Sequence, residues 1–229
     1  MLVCMGIEFI VSREVKLLGI SSYYGFAEGV VVEKGRVDVR EYCRKLVSSL
    51  LSYYNVERVK DVPTIRSYRD IMWRLGIDPT KTRVSSEALL RRVLKSGSFP
   101  HINNVVDACN IASLETLIPI SVFDLSRVRG PLELRYSKLG EKIVDIDDNV
   151  RELKGCEIVL ADSNSILHLY PHRDSKTALV DLNTQSVLVV AYGAPGVPHL
   201  LVKEAVERTL KYLSMFCYAR YLSEVLKAE

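Results

Sequence analysis

The stretch Arg83-Val-Ser-Ser-Glu-Ala-Leu-Leu-Arg-Arg-Val-Leu-Lys95, followed shortly by Pro100-His-Ile-Asn-Asn-Val-Val-Asp-Ala-Cys-Asn-Ile-Ala-Ser-Leu114, sets a basic helix against a segment dense in Asn and Asp. In the first half, Leu89, Leu90, Val93 and Leu94 recur at helical spacing and form a stripe to be buried, which leaves Arg91, Arg92 and Lys95 on the other face. Ser85 or Ser86 is placed to cap this helix, Glu87 suits its first turn, and Gly97 ends it. With Lys81 and Arg83 just upstream, the cations make a compact patch. Such a patch holds backbone phosphates, or is simply a solvated helix face.

In the second half, a helix capped by Asn103 or Asn104 puts Asn103, Asp107 and Asn110 at i, i+4 and i+7, one stripe. Val105, Ala108, Cys109 and Ala112 flank it and turn inward. Amide and carboxylate groups in a wall of small apolar residues can orient an ammonium group or fix a water; equally, they can brace a loop by bonding its backbone. The spacing predicts that Asp107 and Asn110 face a concave pocket near Ser121 and Phe123.

Outward from this stretch, Ile7–Ser12, Lys16–Ile20 and Ala27–Glu33 read as short strands, and residues 38–54 and 64–75 as amphipathic helices. After Leu114 the texture turns alternating and β-branched, with strands expected at Leu132–Tyr136, Lys142–Ile146, Glu157–Ala161, Ile166–Tyr170, Thr177–Asp181 and Val187–Tyr192. The loop Gly193-Ala-Pro-Gly-Val-Pro198 leads into a C-terminal helix from about His199 to Lys227. The order predicts a single α+β domain over residues 1–229: an N-terminal helical layer on a mostly antiparallel sheet, closed by that helix.

Hydrophobic residues make up 48% of the chain and charged ones 26%, ordinary values for a soluble globular protein with ample core material. A net charge of +3 is too mild for a general nucleic-acid binder, so any RNA contact has to be a local patch. The cysteines (Cys4, Cys43, Cys109, Cys156, Cys217) are odd in number and irregularly spaced, which argues against a disulfide framework and a zinc site and for a reducing cytoplasm. Residues 1–6 lack the cationic start of a signal peptide, and no apolar run reaches the roughly 18 residues of a membrane span.

His101 beside the Asn-rich helix and His172 before Arg173-Asp174-Ser175 could each position a hydrolytic water; His168 and His199 complete the histidines. Arg173 and Asp174 either form an internal ion pair at a strand–turn junction, or Arg173 holds a carboxylate or phosphate. Asp145-Ile-Asp-Asp-Asn149 hints at a calcium loop, but Val150 stands where the turn demands Gly and Cys156 where the bidentate Glu belongs. No dinucleotide fingerprint, P-loop or nucleophile elbow is present.

Ile102-Asn-Asn-Val-Val-Asp-Ala-Cys-Asn110, Leu114-Glu115 and Pro119-Ile-Ser-Val-Phe-Asp-Leu125, with Ser86–Lys95 and Arg173-Asp174-Ser175, resemble the B3/B4 domain of the phenylalanyl-tRNA synthetase β subunit. They resemble still more closely the free-standing archaeal and bacterial proteins built from that domain alone. The resemblance runs from about Arg66 to about Leu182. It departs at Ser121, where the synthetase pattern usually reads Pro-x-His-x-Phe-Asp, and at Cys109, which replaces a small hydroxyl residue.

The resemblance implies hydrolysis of a mischarged aminoacyl-tRNA in trans, with Asp107 and either His101 or His172 in catalysis. It implies that Asn103, Asn104, Cys109, Asn110, Ser121, Phe123, Arg173 and Asp174 bind the amino-acid moiety, and that Lys81, Arg83, Arg91, Arg92 and Lys95 hold the tRNA. No cofactor, metal, membrane or DNA partner is expected. The alternatives are a binding module without catalysis, or an accessory domain docking on a synthetase through apolar positions around Leu213–Tyr221.

Overall fold

The computed structural model describes residues 7–222 and 224–229. The reading of residues 1–6, with Cys4, lies outside them. Two antiparallel-dominated sheets and a set of helices make an α+β fold. The first sheet runs β1 (Phe9–Val11), β4 (Leu132–Tyr136), β7 (Ile158–Ala161), β8 (Ile166–Leu169), β9 (Arg173–Asp174). Only β1, against β4, pairs in parallel. The second sheet centres on β2 (Ser22–Glu28) and β10 (Ser186–Tyr192), with β3 (Ile120–Asp124) beyond β10. On the other side of β2 lie β11 (Arg220–Tyr221) and β12 (Leu226–Lys227). A hairpin of β5 (Leu139–Val144) and β6 (Val150–Lys154) stands apart over a small apolar cluster that includes Ile143 and Leu153.

After a short α1 (Arg13–Leu17), the N-terminal layer is α2 (Val37–Tyr53), α3 (Pro63–Arg74) and α4 (Ser85–Ser96). Helices α5 (Asn104–Thr116) and α6 (His199–Cys217) pack on each other, and α6 covers β2 and β10. Val105, Ala108, Ile111, Ala112 and Leu114 of α5 are buried on several sides at once, as expected of a helix enclosed by neighbours rather than laid on a surface. Gly25 lets α6 approach β2: a Cβ there would lie 2.9 Å from Leu210 Cδ1. No helix among the described residues is long and apolar enough to cross a membrane.

Several expected elements differ. Lys16–Ile20 is not a strand; α1 occupies its start, capped by the Ser12 hydroxyl, which accepts from Val15 N at 3.4 Å. The strand expected at Ala27–Glu33 lies earlier, and Gly29 at φ 69° ends it. Thr177–Asp181 gives way to a 3-10 turn at Lys176–Ala178, capped by Ser175. The C-terminal helix stops at Cys217, where Tyr218 takes left-handed φ 58°, and the chain beyond returns as β11 and β12. Strands β3 and β6 were not among those expected. Helix α4 has Val84, not Ser85 or Ser86, at its N-cap and no side-chain cap bond; its stop at left-handed Gly97 is as read.

Candidate functional site

The N-terminus of α5 is where the polar stripe takes physical form. Asn103 is the cap, its side-chain Oδ1 accepting from Val106 N at 2.9 Å. Asn104 is a clamp: it accepts from Glu33 N at 2.8 Å and donates to Val31 O at 2.8 Å and Phe216 O at 3.0 Å. Its side-chain amide is therefore engaged by backbone on both its oxygen and its nitrogen. A buried amide needs such partners, and here the loop-bracing alternative holds.

Asp107 is also buried, and it fastens the chain before the helix. One oxygen accepts from Ile102 N at 2.9 Å and the other meets His101 Nδ1 at 2.7 Å. Burial pushes the Asp107 carboxyl pKa up, and these two bonds oppose that rise. A carboxylate on Nδ1 fixes the neutral tautomer with the proton on Nδ1 and the lone pair on Nε2. The ring is 30% exposed, and Nε2 makes no bond among the described residues. The result is an accessible base aimed by a hidden carboxylate. Phe99 rests against the imidazole, with centroids 4.9 Å apart.

Asp107 does not share a pocket wall with Ser121. It lies toward α2, where burial of the Cys43 thiol, with the Asp107 charge adding to it, pushes that thiol up to about 12. Cys109, about 200° further round the helix, is the residue that faces β3, its thiol 3.6 Å from Ile120 O. Asn110 is half-buried, and its side chain makes no hydrogen bond among the described residues. Phe123 is fully buried in the core opposite Leu188, so it supports the sheet rather than lining a pocket.

Ser121 belongs to a second cluster, at the seam between the sheets. Its hydroxyl donates to Asp174 Oδ1 at 2.6 Å, and the same oxygen is 2.8 Å from His168 Nδ1. Ser121 Oγ itself is 3.3 Å from that nitrogen. The ring of His168 stacks on Tyr192 at 4.4 Å and 8°. His168 Nε2 and Tyr192 Oη are both buried without a hydrogen-bond partner. Serine, histidine and aspartate meet here, yet the serine lies on the Nδ1 side with the carboxylate, whereas a nucleophile needs the far nitrogen to take its proton. The cluster joins β3 to β8 and β9 rather than arming Ser121. His168 and Tyr192 were missed as site residues; a His and an Asp on strands flanking one turn were the available signal.

Arg173 and Asp174 do not pair with each other. As neighbours on a strand they point to opposite faces: Arg173 binds Asp145, which also closes its own turn by accepting from Asp147 N at 2.9 Å and Asn149 N at 3.0 Å. Burial holds the imidazole of His172 down to about 4, and its Nδ1 is buried and unpartnered.

The basic patch is also redrawn. Glu87 is fully buried and bound by Arg69 at 3.0 Å and Arg91 at 2.8 Å; Arg91 also donates to Val56 O at 2.8 Å. A carboxylate without water needs its counter-charges, so Arg91 turns inward instead of facing solvent. Lys81, Arg83, Arg92 and Lys95 remain exposed.

Residues 67–218 match the B3/4 domain family. Among curated proteins, the phenylalanine–tRNA ligase beta subunit of Fusobacterium nucleatum is 30% identical over 149 residues, covering 65% of this chain and 18% of the relative. That of Nocardia farcinica is 36% identical over 116 residues, 51% of this chain and 14% of the relative. The chain thus spans less than a fifth of the length of either. Among solved structures, an N-terminal fragment of the phenylalanyl-tRNA synthetase beta-subunit from Pyrococcus horikoshii superposes with a TM-score of 0.53 at 13% identity, over 98% of this chain and 55% of that one. The fold is shared with that fragment.

Proposed function

The chain belongs to the B3/4 domain family, and from that premise we propose that it hydrolyses the ester of mischarged aminoacyl-tRNA in trans, with His101 as the general base. The His101–Asp107 pair carries this reading. Asp107, buried and bonded at 2.7 Å, holds the imidazole in the tautomer that accepts a proton at Nε2, and Nε2 is free to meet a water. An aminoacyl ester is already labile, so a positioned water and a stabilised oxyanion suffice, and the terminal hydroxyl groups of the tRNA can assist. Asn110, the one member of the α5 stripe without a protein partner, is the group on this helix able to meet the amino acid. Lys81, Arg83, Arg92 and Lys95 hold acceptor-stem phosphates. The synthetase beta subunits it resembles make tRNA the natural partner.

The test is a panel of mischarged tRNAs incubated with the protein, following release of amino acid. At least one species is expected to be deacylated, and Asp107→Asn, which spoils the tautomer but keeps the shape, to slow that reaction while melting stays cooperative. Failure to deacylate any member, or full activity in Asp107→Asn, overturns the reading. A binding module without chemistry is the second reading, favoured by Ser121, whose hydroxyl is held by Asp174. Saturable retention of an amino acid or tRNA without turnover would select it.

A further inference from the structure

The helices α2 to α4 carry charge out of proportion to the rest of the chain. Between Val37 and Ser96 there are 13 Lys and Arg against 7 Asp and Glu, a net +6 in a chain whose total is +3, so the remainder is −3. Two of these cations, Arg69 and Arg91, bind Glu87 between α3 and α4 and hold the two helices in fixed relation. The others stay at the surface.

Beyond Pro63 at its start, the exposed residues of α3 are Arg66, Asp70, Trp73 and Arg74. Trp73 is the single tryptophan of the chain and is 56% exposed. It stands alone: its exposed neighbours on the helix are charged. A protein-docking face has a contiguous apolar core around its aromatic anchor, and this face has none on α3. A lone exposed indole among arginines is instead the composition of a nucleobase platform, where the ring stacks on a base and the cations follow the backbone. Arg66, two helical turns before Trp73, shares its face. Its partner Asp61 is 3.5 Å away and both side chains are solvated, a weak pair that phosphate can displace. Asp70 lies between them, so the phosphates sit at the two ends of the stripe rather than along all of it.

We propose that the exposed face of α3 binds single-stranded RNA, with an unpaired base stacked on Trp73 and the flanking phosphates held by Arg66 and Arg74. The inference names the contact surface for the RNA of the proposed function and rests on that reading for the class of partner, but it does not require hydrolysis.

Because Trp73 is the single tryptophan, its emission reports the contact directly. The full chain is titrated with a single-stranded oligouridylate of about ten nucleotides, a length within the usual site sizes, and with an RNA duplex of the same length. Saturable quenching by the single strand, stronger than by the duplex and weakening with salt, is expected. Trp73→Ala, followed by anisotropy of a fluorescein-labelled strand, should bind about tenfold more weakly. Arg66→Glu with Arg74→Glu should bind more weakly with a shallower salt slope. Lys154→Glu on the β5–β6 hairpin makes the same kind of charge change elsewhere and should bind as the parent does.

Absence of quenching, unchanged affinity in Trp73→Ala, equal binding of duplex, or equal weakening by Lys154→Glu each overturns the proposal; the first would assign the face to a protein partner. The oligonucleotide carries no ester. Binding without any deacylation on the tRNA panel would therefore remove the hydrolytic reading alone, and deacylation without this binding would remove the present one alone.

Discussion

Two His–Asp pairs in this molecule have the same sequence separation and nearly the same bond, and opposite surroundings. His101–Asp107 and His168–Asp174 each join Nδ1 to a carboxylate six residues on, at 2.7 and 2.8 Å. In the first the imidazole is 30% exposed and the carboxylate 5%; in the second the figures are 3% and 35%. Burying the carboxylate and exposing the ring gives a steered base with a free nitrogen. Burying the ring and exposing the carboxylate gives a peg, stacked on Tyr192 and tied to Ser121, that holds two sheets together. Which end is hidden decides what a pair can do.

The sharpest break between them is catalytic. His101→Gln, which keeps a donor for Asp107, is expected to lower deacylation on the order of a hundredfold or more, the usual contribution of a general base, while unfolding stays cooperative. His168→Ala is expected to do the reverse. It empties the stacked position on Tyr192 and strips Asp174 of a partner, costing about 3 kcal/mol by chemical denaturation, with any activity loss tracking the unfolded fraction. If both variants lose activity while remaining folded, the second pair is not merely a peg.

Acid should expose the sheet seam next. His172 is held at about 4 in the fold against an ordinary value near 6.5, so the unfolded chain takes up its proton first. The stability from this group is complete above about pH 6.5 and is lost as the pH falls toward 4, on the order of 3 kcal/mol at the lower end. Melting curves of the parent and His172→Asn across that range should converge on acidification, the variant showing the flatter profile. The smallest effect is expected at the α4 surface. Arg92→Glu with Lys95→Glu should weaken tRNA binding a few-fold and reduce its salt slope without changing stability, whereas Arg91→Glu should destabilise the fold by setting a second carboxylate against Glu87.

Local pattern made the helices legible: the periodicities of α3, α4 and α5 and the stop at Gly97 lie close to where the spacing puts them. What lies across the chain was hidden. Arg91 looked like surface because the row Arg91, Arg92, Lys95 is cationic, and nothing in the row says that Glu87 is buried beneath it. The i, i+4, i+7 stripe was correctly helical, but its members divided among a cap, a loop brace and a free amide, since caps and first-turn groups answer to the chain before the helix. Ser121 and His168 come together only because β3, the edge of one sheet, falls beside β8 and β9 at the end of the other, and a strand's own sequence does not name its neighbour.

Strand β2 has a consequence for biosynthesis. It is central in its sheet, yet β10 on one side and β11 and β12 on the other come from the far end of the chain; the Ser22 hydroxyl meets Ala191 O across 169 residues. While a ribosome is still making the middle of the protein, the Ser22–Glu28 segment, rich in aromatic residues, waits with both edges open. Such a strand pairs with whatever it meets. Yield should therefore depend on translation speed, temperature and chaperone supply more than the finished fold suggests, and mutations that only soften the α6–β2 contact should show first as inclusion bodies.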